Sequence, residues 1–243
     1  MDRPAGEEES AAETLRESLG QAVRRAGFGQ VAPGEVPTAA SLLKAVGGAR
    51  GLVESILPGL GFLVVYTLTH ELVASVLAPV VVAIAFVVLR LVGRTPATQA
   101  FAGVIGIGIS AALALMTGRA EDNFLPGIII NVVSVAVLLA SLAIRWPLIG
   151  VIAGLLTNEG TAWRQDRAKR RVLSLATWLW CGLFTLRLAV QLPLYLSGQT
   201  ELLAATKLVM GVPLYAAMLW VTWLLVRAVY RRAGPATHSA DAR

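Results

Sequence analysis

From residue 51 onward the chain alternates between long apolar stretches and short polar connections. Six stretches stand out: 52–69, 72–89, 100–116, 125–144, 172–196 and 202–226. Each is close to the roughly 20 residues that carry a helix across a hydrocarbon core. The pattern predicts an all-α fold, a polytopic bundle of six transmembrane helices spanning residues 51–230. The first stretch is the weakest. Glu54, Pro58, Gly59 and Gly61 interrupt it, and only His70 and Glu71 part it from the second. A five-span alternative therefore stays open, with the first two stretches merged or the first re-entrant. Residues 147–156 (PLIGVIAGLL) are apolar but too short to cross. They predict a segment lying at the membrane interface, with Pro147 ending the fourth helix.

The charges fall on every second connection. Arg90 and Arg94 follow the second stretch, and Arg145, Arg164, Arg167, Lys169, Arg170 and Arg171 follow the fourth. Arg227, Arg231 and Arg232 follow the sixth, and Lys44 and Arg50 precede the first. The alternate connections hold His70 with Glu71, Arg119 with Glu121 and Asp122, and Glu201. By the positive-inside rule both termini are cytoplasmic, and the acidic loops face outward. All six tryptophans, at 146, 163, 178, 180, 220 and 223, fall toward the basic ends and read as an interfacial belt on that side.

Composition agrees. The chain is 56% hydrophobic and 15% charged, against about 25% charged in soluble domains. Its net charge of +6 would suggest nucleic acid in a soluble protein. Here the basic residues flank apolar stretches, which makes them orientation signals, and no nucleic-acid partner is expected. Residues 1–50 read as a cytoplasmic tail, acidic over 1–20, largely disordered, with a short amphipathic helix within 11–27 and a Gly- and Pro-containing linker over 28–41. Residues 231–243 read as a second cytoplasmic tail. Only three lysines stand among 21 basic residues, and with the Ala, Gly and Val content this hints at a GC-rich bacterial genome.

Polar residues inside the apolar stretches carry the candidate chemistry. Asn131, Ser134, Ser141 and Arg145 share one face of the fourth span. Gly103, Gly106, Ser110 and Ala114 give the third span a small face suited to close helix approach. Arg187 and Gln191 sit four apart on the fifth span, and Lys207 lies inside the outer end of the sixth. A charge at such depth costs at least a few kcal/mol, so each should face the bundle interior and find a partner. Two readings follow. One is an outward-opening polar pocket lined by Arg187, Gln191, Lys207 and Asn131, with Glu121 and Asp122 at its rim. The other is a structural ion pair locking the last hairpin to the outer loop. The basic run of Arg164, Arg167, Lys169, Arg170 and Arg171 is placed to meet anionic lipid headgroups, each charge adding roughly 1 kcal/mol. The glycines at 103, 106 and 108 lie within a span and form no phosphate loop. The one cysteine, Cys181, and the two histidines suggest no metal or cofactor. No nucleophile–base pair appears, so a non-enzymatic role is expected.

Two segments resemble a known family. They are TGRAEDNFLPGIIINVVSVAVLLASLAIRWPLIG (117–150) and GTAWRQDRAKRRVLSLATWLWCGLFTLRLAVQLPLY with KLVMGVPL (160–195 and 207–214). They look like an actinobacterial integral-membrane family, domain of unknown function 3159, and more distantly like bacterial intracellular septation protein A. The shared features are Pro126, Ser141, Pro147-Leu148-Ile149, Trp163-Arg164, Lys207 and Gly211. The likeness implies a multi-pass plasma-membrane protein supporting septation or cell division, organising division or envelope-synthesis proteins of membrane or cytoplasm. The small helix faces would also serve a homo-oligomer. Septation-type proteins typically carry a different polar residue where Arg187 stands, so a shared ligand site does not transfer. The reading from a different class is a transporter or lipid-handling protein that binds an anionic headgroup or precursor from outside.

Overall fold

The computed structural model describes residues 48–93, 98–157 and 160–232. Both expected tails lie outside these residues, apart from Gly48–Arg50, Arg231 and Arg232, as does Arg94. Every regular element among the described residues is helical. Helix α1 (Gly48–Thr69) and α2 (Leu72–Val92) form a hairpin, followed by α3 (Thr98–Thr117). A 3-10 turn (Ala120–Phe124) leads into α4 (Leu125–Ala143). The short α5 (Leu148–Leu156) and a second 3-10 turn (Ala162–Arg164) precede the long α6 (Arg167–Leu196). Helices α7 (Thr200–Val209) and α8 (Val212–Arg232) follow. Among the described residues, four segments are long and apolar enough to cross a membrane: Leu72–Val92, Ala120–Ala143, Arg167–Leu196 and Thr200–Tyr230. The first and third expected spans are shorter apolar helices, Val53–Thr69 and Phe101–Thr117.

The burial pattern is that of a bundle bathed in lipid. On α2 the residues turned inward are Ser75, Val76, Pro79, Ala83 and Val87, while Val73, Leu77, Val81, Ile84 and Val88 are exposed. Small or polar groups pack inside and large apolar ones face out, because lipid tails accept a leucine as readily as a core does.

Two cores tie the ends together. At the acidic end Phe62, Val76, Ala111, Ala114, Phe124, Leu203 and Ala204 pack as one cluster. The rings of Phe62 and Phe124 meet edge to face at 5.1 Å. At the basic end Trp163, Leu173 and Ala153 form the second cluster. Trp163 is fully buried against Gly150 and Gly154 of α5 and so does not belong to an interfacial belt. Trp180 also leaves the belt, its indole N–H donating to Thr222 Oγ1 at 3.0 Å. Trp146, Trp178 and Trp220 remain exposed as expected.

Helix α5 is anchored from its neighbours. Its first amides have no partner within the helix. Leu148 N–H donates to Ser141 Oγ of α4 and Ile149 N–H to Thr177 Oγ1 of α6, each at 3.3 Å. The turn before it is closed by paired bonds, Trp146 N–H to Ser141 O and Arg145 N–H to Leu142 O. Arg145 there takes the left-handed conformation, φ 57°, that glycine usually fills.

The sixth apolar stretch is not one helix. Pro213 has no N–H to offer the carbonyl four residues earlier, at Val209, and its ring crowds that carbonyl. The helix breaks at Met210–Gly211. A side chain at Gly211 would stand 2.7 Å from the Lys207 carbonyl oxygen, so the break needs a glycine. Near the opposite end, Glu54 of α1 and Arg90 of α2 make a partly buried ion pair, with Arg90 Nε donating to Glu54 Oε2 at 2.7 Å. The acidic residue that weakens the first apolar stretch is thereby matched within the hairpin.

Candidate functional site

Helix α6 packs closely against α4 and also against α7 and α8. One face of it carries Leu183, Arg187 and Gln191 into the bundle. Asn131, 2% exposed, projects from the buried face of α4, and its amide Nδ2 donates to Gln191 Oε1 at 3.3 Å. Arg187 is 7% exposed, and its guanidinium lies over the Tyr215 ring, 4.9 Å from the centroid. Tyr215 belongs to the first turn of α8, just past the helix break. Its ring also packs against Trp180, tilted, and against Phe184, edge to face. Sequence reasoning missed Tyr215. Its spacing from Pro213 and Gly211 was the signal available.

The cluster holds more donors than acceptors. Arg187 Nε and Nη1 and Gln191 Nε2 are buried and have no hydrogen-bond partner. No carboxylate among the described residues lies within ion-pair distance of Arg187. The acidic residues expected at the rim are engaged elsewhere. Glu121 Oε1 accepts from Arg119 Nε at 2.9 Å. That bond and the charge behind it hold the exposed Arg119 above its usual range, with Asp122 adding to the effect. Asp122 is 4% exposed and accepts from the Tyr195 hydroxyl at 2.6 Å. The acidic turn is therefore locked to the end of α6, by a tyrosine and not by Arg187. Tyr195→Phe removes that donor from a buried carboxylate and is expected to cost about 1.5–3 kcal/mol, read as a lowered thermal midpoint of the purified protein.

Lys207 ends α7 with its residue exposed and its ammonium 4.7 Å over the Phe124 ring. It makes no hydrogen bond to the cluster, though its charge and that of Arg187 are close enough to oppose one another. The structure thus brings Arg187, Gln191 and Asn131 together, places Lys207 beside them, and leaves Glu121 and Asp122 in the acidic turn.

The basic run lies at the other end of the bundle. Asp166 caps α6 by accepting from the Ala168 and Lys169 amides. Arg164 stacks on Trp146 at 4.0 Å, and Lys169 lies over Tyr230 at 4.3 Å. Arg167, Arg170 and Arg171 are exposed on the first turns of α6. Among the described residues no group of three or more His, Cys, Asp or Glu side chains could hold a metal ion.

A family model described as "Protein of unknown function (DUF3159)" matches residues 46–233, and the chain belongs to that family. No curated protein and no solved structure matches it.

Proposed function

We propose that this DUF3159 member is a six-span plasma-membrane protein, with both termini on the cytoplasmic side, that binds an anionic group at the Arg187–Gln191–Asn131 cluster. The observation that carries this reading is the surplus of buried donors. A lone buried cation costs several kcal/mol, and leaving its N–H groups unpaired adds to that. A phosphate or carboxylate oxygen supplies what the side chains lack, and Arg presents the planar fork that suits either. The broken last span supports it, since discontinuous helices at mid-membrane commonly border ligand sites. The cluster offers no nucleophile beside a base, so the proposed role is binding and handling of an anionic lipid or solute. The asymmetry of basic residues supports the orientation.

Titration calorimetry of the full chain in nanodiscs tests this with dihexanoyl phosphatidic acid, inorganic phosphate and acetate. Saturable one-to-one binding of at least one probe is expected, weakened about tenfold or more in Arg187→Gln, equivalent to about 1.4 kcal/mol. No saturable binding by any probe, or binding unchanged in Arg187→Gln, would refute it.

A second reading is that the protein supports septation by organising division proteins. It rests on the resemblance, and on Gly103 and Gly106 of α3, which are exposed with open space around them and could receive a partner helix. Imaging a C-terminal fluorescent fusion in dividing host cells separates the two. Septal enrichment supports the second reading, and a uniform membrane signal removes it.

A further inference from the structure

A half-open cleft of about 550 Å³ lies among α4, α5 and α8, with α6 contributing Trp180 and Phe184. Its walls are almost wholly carbon, with Val137, Ile152, Phe184, Leu219 and Val226 among them. A cavity of this kind does not hold water well, and its size is that of a ligand site. Along α8 it runs from Leu219 to Val226, a rise of about 10 Å. That fits within one leaflet of a hydrocarbon core about 30 Å thick. At the end nearest the basic residues, Trp223 lines the wall, and the Arg227 guanidinium lies over its ring, 4.9 Å from the centroid. Lys169, over Tyr230, stands on the same side one turn further along α8. The far end closes on Trp180 and Phe184, whose rings pack against Tyr215, tilted and edge to face respectively. The aromatic group thus stands between the cleft and the Arg187 cluster, and the two sites are separate.

We propose that this cleft seats one acyl chain of an anionic phospholipid, with the headgroup phosphate held by Arg227. The apolar walls select the chain, and the cations at the mouth select the negative headgroup. This site does not depend on whether the Arg187 cluster binds an anion.

Native mass spectrometry of the full chain, extracted from vesicles of equal phosphatidylglycerol and phosphatidylcholine, is the test. The wild type is expected to retain one phosphatidylglycerol per chain, favoured about tenfold over phosphatidylcholine. Val137→Phe with Leu219→Trp fills the cleft and is expected to retain none, with helical content checked by circular dichroism. Arg227→Gln is expected to keep a lipid but bring the ratio close to one, which decides the matter if the filled variant fails to fold. No retained lipid, equal retention of both lipids, an unchanged ratio in Arg227→Gln, or a protein dimer without lipid would each overturn the proposal.

Discussion

Gly154→Val is expected to unseat Trp163 and cost the fold about 3–5 kcal/mol, the scale of losing a buried tryptophan. A Cβ at Gly154 would lie 2.1 Å from the Gly160 carbonyl oxygen and 2.9 Å from the Trp163 ring. The first contact is with backbone, which cannot turn aside as a side-chain tip can. The indole must leave, and Ala153 and Leu173 lose their shared neighbour. Gly150→Ala should cost less, because its Cβ meets only the outer edge of the same ring, at 2.8 Å. Thermal unfolding of the two purified variants checks the order. If Gly154→Val unfolds at the wild-type midpoint, Trp163 does not anchor this end of the bundle.

Arg187→Met is expected to act in the opposite direction on stability. Arg187 gains a cation–π contact with Tyr215, worth up to about 2 kcal/mol. Against that stands a burial penalty of several kcal/mol, which no carboxylate among the described residues offsets. Methionine fills similar space without charge, so the fold should be equal or more stable, by about 1–3 kcal/mol on the scale of buried-charge replacements. The Asn131–Gln191 bond should survive, since neither partner depends on the guanidinium. A residue that weakens the fold where it stands is what a binding site requires and a structural lock does not.

Much of the architecture was legible because a membrane imposes simple rules. Apolar length located α1 to α4 and α6, and the short segment after Pro147 that forms α5, but returned α7 and α8 as one span. The faces were harder. In a soluble helix a polar stripe marks the outside, but in these spans nearly every position is apolar, and only the rare polar residue reports the inside. Arg187, Gln191 and Asn131 could be grouped for that reason. The partners of the acidic turn could not, because Tyr195 looked like any interfacial aromatic. Trp163 misled in the same way: its burial depends on Gly150 and Gly154 of a different helix. The helix break had a signal, Gly211 followed by Pro213, yet hydropathy averages across it and returns one long span.

The central claim is that Arg187 is kept for a ligand and not for the fold. The measurement that tests it most directly compares thermal midpoints of wild type and Arg187→Met in nanodiscs, each with and without dihexanoyl phosphatidic acid. Without the lipid, the variant should unfold at or above the wild-type midpoint. The lipid should raise the wild type alone, as any ligand of the folded state must. A variant that unfolds well below the wild type, with neither protein responding to the lipid, would make Arg187 a structural residue and contradict the account.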